Sequence, residues 1–377
     1  MSTETGGSYP ETTPVVSPPQ VRDLHGSPPA PAIELPNLDL LRTLAVLLVV
    51  ADHVMETIGP RIGASFNPLD LYLGRLGVLS FFVHTSLVLM QSMARTSAKG
   101  AKLFTHFYVR RAFRIYPLSV LCVAIVLGFG VPRVAWEAPG QVWSRGTVVS
   151  NLLLTQNLTY SESVLGPMWS LPYEMQMYLV LPFLFLLTRR TSVVAVALGG
   201  WTAAVLAGLI QPLVPGAGRL SVAQTGPCFL AGVVAYAGFL RISPRLPSWS
   251  WVLLMLSLVG ASLAVGLYGP VMDPWLGWIY CAALGLLIPC VHQVSAPAPV
   301  IAAHLVAKYS YGIYLFHLVA LWIAFSVLPV TPVWTSVGIA GLLCMTLAVG
   351  TYHLVEKPFI SLGGRAARRL ISRPAAS

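Results

Sequence analysis

The chain has 377 residues, of which 56% are hydrophobic and only 10% charged. Its mean hydropathy of +0.74 excludes an ordinary soluble domain, in which about a quarter of residues are charged. The net charge of +10 raises the question of a nucleic-acid partner, and the placement of the cations answers it below.

Residues 1–36 are dominated by Ser, Thr, Pro and Gly, with Pro18-Pro19, Pro28-Pro29 and Pro31 and hardly an apolar pair. Such a segment buries too little surface to offset its chain entropy, so a disordered tail is predicted. It lacks the basic start, apolar core and small-residue cleavage site of a signal peptide, which leaves the first span to act as an uncleaved start signal. From there, apolar windows of membrane-crossing length fall at about 38–57, 71–93, 114–131, 173–188, 192–213, 221–240, 250–268, 275–292, 304–327 and 334–355. The fold class predicted is all-α, a polytopic membrane protein with about ten transmembrane helices. The stretch 147–158 is apolar but short and rich in Asn and Gln, which fits a re-entrant or interfacial segment.

With both termini cytoplasmic, the inside connections collect sixteen lysines and arginines, among them Arg95, Lys99, Arg110, Arg189, Arg190, Arg241, Lys357 and Arg368. The outside connections hold five: Arg61, Arg75, Arg133, Arg145 and Arg219. This asymmetry is the positive-inside pattern, and it accounts for the net charge without any nucleic acid. The five cysteines lie in apolar segments with neither metal-ligand nor CxxC spacing, so they read as small core residues.

The first span carries Arg42 and, eleven residues on, His53. At ~100° per residue the two return to within about 20° of one face, separated by a rise of roughly 16 Å. Ionisable groups at membrane depth are costly and mark functional paths. Glu56, at i+3 from His53, is close enough to orient the imidazole; Asp52 points away. A near-neutral imidazole suits a general base toward a hydroxyl, against the plainer possibility of a helix–helix hydrogen bond. Asp39, three residues before Arg42, offers it a snorkelling partner.

Further along, Arg111 and Arg114 stand one turn apart ahead of Tyr116-Pro117. That spacing lets two guanidiniums grip one phosphate-bearing ligand, although a membrane anchor would also satisfy it. At the fourth clear span Pro172 is placed to start a helix, Ser170 to cap it and Glu174 to sit in the first turn. Glu174 falls on the same side as His53, which gives it a catalytic or acceptor-binding reading beside the capping one. His84, His317 and His353 read as structural hydrogen-bonders, His317 being the most suggestive.

Five motifs in order resemble the membrane-bound acyltransferase-3 family, which includes surface-polysaccharide O-acetyltransferases and macrolide acyltransferases. They are Leu38-Asp39 with Arg42 and His53; Arg111 and Arg114 before Tyr116-Pro117; Trp169-Ser170-Leu171 with Glu174; Ser310-Tyr311 with Tyr314 and His317; and Tyr352 with Glu356 through Phe359. The resemblance covers about 37–360, leaving a basic tail at 361–377. It departs at His84-Thr85-Ser86, where members often have Leu-Ser-Gly, and at Tyr173-Glu174, where they commonly have Glu-Glu or Val-Glu. Both departures point to an altered acceptor site.

The resemblance implies transfer of an acyl group, acetyl first, from cytoplasmic acyl-CoA to a hydroxyl of an envelope carbohydrate, glycolipid or related acceptor. It implies a catalytic His53 and coenzyme A binding by Arg111 and Arg114; the reading of the residues themselves adds Glu174 or Glu56 as the carboxylate for His53 and sets Arg42 at the same end as the arginine pair. No permanently bound cofactor and no metal are expected. The rival reading is a multi-span transporter or flippase, since intramembrane charges also suit a permeation path. No internal repeat supports that rival, and retention of acyl-CoA would discriminate the two.

Overall fold

The computed structural model describes residues 35–63, 68–134, 137–268, 274–328 and 332–372. The tail predicted to be disordered lies, but for its last two residues, outside the described residues. The helices in chain order are α1 Pro36–Ile58, α2 Pro68–Ala94, α3 Ala101–Phe129, α4 Arg145–Leu153, α5 Gln156–Thr159, α6 Leu171–Thr188 and α7 Val193–Ile210. They continue as α8 Val222–Arg241, α9 Ser250–Tyr268, α10 Pro274–Leu287, α11 Pro297–Trp322, α12 Val333–Thr351 and α13 Lys357–Ser372. Among the described residues there is no strand, only one bridge between Leu246 and Val291.

Each predicted window falls on a helix, but among the described residues seven helices are long and apolar enough to cross a membrane by themselves. Two more, at Ser250–Val265 and Pro274–Cys290, are apolar but shorter. α1 misses on charge rather than length, because Asp39, Arg42, Asp52 and Glu56 all lie on it. The third predicted window began at residue 114, whereas α3 starts at Ala101. Apolarity stops at the arginines and helix does not, so the basic cluster rides on the same rigid rod as the apolar part. Pro117 lies inside this helix, where it removes one backbone donor.

The segment expected to be re-entrant or interfacial forms α4 and α5, nine and four residues long, too short to cross. Its polar side chains tie it down. Asn151 Nδ2 donates to the Glu162 carbonyl at 2.8 Å, and Asn151 Oδ1 accepts from Val164 N at 3.0 Å. Arg133 joins the loops above, reaching Glu137 at 2.7 Å and Glu162 at 3.0 Å. The two carboxylates, Glu137 first through its hydrogen bond, hold the Arg133 guanidinium more firmly charged than usual.

α1 packs between α2 and α11, α2 against α8, α8 against α7 and α10, α11 against α12, and α3 against α13. Close backbone approach at glycines sets these spacings. A Cβ on Gly77 would stand 2.5 Å from the Ala45 carbonyl oxygen, and one on Gly312 would stand 2.9 Å from Ala348 Cα. Asn37 fixes the start of α1 from below: it is fully buried, donates to the His292 carbonyl at 3.1 Å and accepts from Val294 N at 2.9 Å. Of the basic tail predicted at 361–377, residues 373–377 lie outside the described residues, and 361–372 continue α13. Its register is fixed by Gly363 against Phe113 and by Lys102 Nζ donating to the Ile371 carbonyl at 2.7 Å.

Candidate active site

Two cavities meet inside the bundle. The first, of about 110 Å³, is lined by Arg42 of α1, His84 of α2, Arg111 and Arg114 of α3, Glu174 of α6 and Ser310 of α11. The second, of about 440 Å³, is lined by Asp52, His53 and Glu56 of α1, Arg75 of α2, and Trp169 and Tyr173 at the start of α6. Val78 and Tyr314 line both and form the wall between them.

In the smaller cavity three predicted cations converge from two helices, as the sequence foresaw. Their partners differ from expectation. Arg42 Nε donates to Ser310 Oγ at 2.6 Å, while Asp39, its expected partner, pairs with His304 Nδ1 at 2.9 Å. Arg114 Nη1 lies 2.5 Å from the carboxylate of Glu356, whose side chain is fully buried. A π-helical turn at Tyr352–Glu356 separates α12 from α13 and carries that carboxylate; such turns often mark functional positions. Arg111 makes no ion pair among the described residues. It also lines a small groove with His106 and Arg110, and so is shared between that groove and the arginine cavity.

Glu174 belongs to this cavity and not to that of His53. The chain reaches α6 through a 3-10 turn, Gly166–Ser170, whose Pro167, Met168 and Ser170 are buried, so the first turn of α6 starts inside the bundle rather than at its edge. Tyr178, one turn on, donates a hydrogen bond to the Glu174 carboxylate. Pro172 stands in the first turn as predicted, but Ser170 does not cap the helix. Its Oγ lies 2.8 Å from Tyr314 Oη, which in turn donates to the Pro167 carbonyl at 2.5 Å. These bonds pin Tyr314 in the dividing wall.

His53 is half-buried on the larger cavity. Its Nδ1 lies 2.8 Å from the Val49 carbonyl one turn earlier. A carbonyl only accepts, so in the neutral ring the proton sits on Nδ1, and Nε2 keeps the lone pair that a base requires. The second neighbour of Nδ1 is His317 Nε2 at 3.3 Å. Glu56 and Asp52 are buried on the same cavity, but the hydrogen bonds of the His53 ring go to Val49 and His317. Glu56, expected beside the imidazole, does not hold it, and Asp52, expected to point away, does not either. The sequence flagged His317 within a motif and gave no sign of its neighbour, because the contact joins residues 264 apart.

His84 lines the arginine cavity, and His353 is exposed beside Tyr309 Oη at 3.4 Å. The five cysteines are free thiols, all buried except the half-buried Cys290.

The description of one protein family, an acyltransferase domain, matches residues 35–354. The chain is 29% identical over 174 residues to acyltransferase MdmB of Streptomyces mycarofaciens, spanning 44% of this chain and 43% of that protein. It is 24% identical over 340 residues to peptidoglycan O-acetyltransferase OatA of Listeria monocytogenes, spanning 80% of this chain and 52% of that protein. With nodulation protein 10 of Rhizobium leguminosarum the identity is 25% over 373 residues, 89% of this chain and 96% of that protein. No solved structure matches.

Proposed function

The chain belongs to the family defined by that acyltransferase domain, and we propose that it is an integral membrane O-acyltransferase. It moves an acyl group, acetyl in the first instance, from acyl-CoA on the cytoplasmic side to a hydroxyl of an envelope carbohydrate, glycolipid or related acceptor. The observation that carries this reading is the pair of adjoining cavities, one cationic and one holding His53, with Val78 and Tyr314 lining both. The family match favours acyl transfer over permeation.

The donor's phosphates bind at the arginine end, Arg111 first, with Arg42 and Arg114 lining the way inward. Guanidinium forks suit phosphate oxygens better than an ammonium does. The thioester then lies against the dividing wall, and the acceptor occupies the larger cavity beside Trp169 and Tyr173. His53 Nε2 takes the proton of the acceptor hydroxyl as its oxygen attacks the thioester carbonyl. The C–O bond forms, the C–S bond breaks, and coenzyme A leaves as thiolate, which accepts the proton. Direct attack needs the imidazole to face only the acceptor, whereas an acyl-histidine would have to meet both substrates in turn.

The test is transfer from labelled acetyl-CoA to an acceptor in purified protein. His53→Ala should keep its fold and its donor affinity and lose transfer by roughly a hundredfold or more. Transfer at the wild-type rate in that variant would falsify the base assignment.

A further inference from the structure

His317 takes no part in the reaction just described, yet it is among the most tightly placed side chains in the bundle. It is 1% exposed, near the end of α11. Its ring stands edge-on to that of His53, with centroids 4.9 Å apart and planes at 61°. Its Nδ1 is 3.1 Å from the Ile313 carbonyl, so that nitrogen carries the proton and Nε2 is left with a lone pair. That lone pair faces His53 Nδ1 at 3.3 Å. The hydrogen bonds therefore run in one direction: His53 Nδ1–H is shared between the Val49 carbonyl and His317 Nε2, and His317 Nδ1–H goes to the Ile313 carbonyl.

We propose that His317 is a positioning residue for His53, taking the place that a carboxylate holds in a catalytic triad. The inference rests on His53 being the base, as argued above. A single carbonyl fixes the tautomer but leaves the ring free to tilt. A second acceptor on another helix fixes its plane, and with it the direction of the Nε2 lone pair. When Nε2 takes the acceptor's proton, the ring becomes an imidazolium, and His317 Nε2 remains the acceptor of the now more acidic Nδ1–H. A neutral acceptor does this without placing a permanent anion inside the bundle, where one would be costly. Asp52 and Glu56 line the same cavity, but the His53 ring hydrogen-bonds to neither.

Three variants separate positioning from packing. His317→Phe and His317→Leu keep apolar bulk and remove the acceptor; His317→Gln keeps an acceptor oxygen at nearly the reach of Nε2. Steady-state transfer should show kcat falling about tenfold or more in Phe and Leu, with KM for both substrates unchanged. His317→Gln should stay several-fold above both. In a His53→Ala background, His317→Phe should cost nothing further. Wild-type kcat in a folded Phe or Leu variant, or Gln falling as far as they do, would overturn the proposal. If Phe aggregates, the Leu–Gln comparison still decides. Activity retained in His53→Ala removes the base reading and this inference together, whereas loss there with none in His317→Leu removes this inference alone.

Discussion

Arg114 and Glu356 show how far one charge can depend on another inside this bundle. The Glu356 side chain is fully buried and Arg114 only slightly exposed, so neutralising one strands the other. Breaking a buried pair from one side typically costs about 3–5 kcal/mol. Glu356→Ala should therefore lower the thermal midpoint in detergent markedly, and Arg114→Met in the same chain should recover much of the loss. The two arginines of the sequence motif consequently have different duties. Arg111→Lys should weaken acetyl-CoA binding by about tenfold while leaving stability intact, because the guanidinium fork is lost and the charge is kept. Arg114→Lys should show its main effect in the melting curve. Equal losses of donor affinity at matched stability would contradict this division. Spacing and the family resemblance together put both residues at the phosphate; the ion pair with Glu356 joins helices far apart in the chain and has no local signature.

At the scale of elements, most of the helices were legible because a membrane helix announces itself by composition over a single window. What the windows missed lies where helix and apolarity part company. α3 extends back to Ala101 through its own basic cluster, and α13 runs on through a segment that reads as a tail. The depth of a helix start was equally invisible: Glu174 follows a buried 3-10 turn, so a residue placed by topology near His53 lies instead with the arginines. The motifs did single out residues that the structure gathers at cavities, His53 at one and the three arginines at the other. Helix spacing depends on residues without side chains. Gly77→Val would drive a Cβ into the Ala45 carbonyl and push α1 from α2, at about 1–3 kcal/mol or more for overpacking. The same displacement moves His53, so transfer should fall further than the loss of folded protein explains. Comparing specific activity with the folded fraction by size-exclusion chromatography checks this.

For the molecule as a whole, the charge asymmetry makes a prediction about sidedness. In a background freed of native cysteines, Ser97→Cys should resist an impermeant thiol reagent applied to intact cells, and Ser161→Cys should react. Labelling at 97 from outside would reverse the orientation and the side from which the donor comes. The wall of Val78 and Tyr314 then has an electrical meaning. Under the sidedness proposed above, two hollows approaching each other from opposite faces of a bilayer thin its insulation between them, and Val78 and Tyr314 are residues that line both. In the proposed reaction one proton passes from the acceptor hydroxyl to the coenzyme A thiolate with each acyl group, so what the wall has to stop is the uncoupled leak that would draw down the membrane potential between turnovers. Tyr314, pinned through its hydroxyl to Ser170 and the Pro167 carbonyl, is built as a plug, and Tyr314→Ala in proteoliposomes should dissipate an imposed pH gradient faster than the parent protein does.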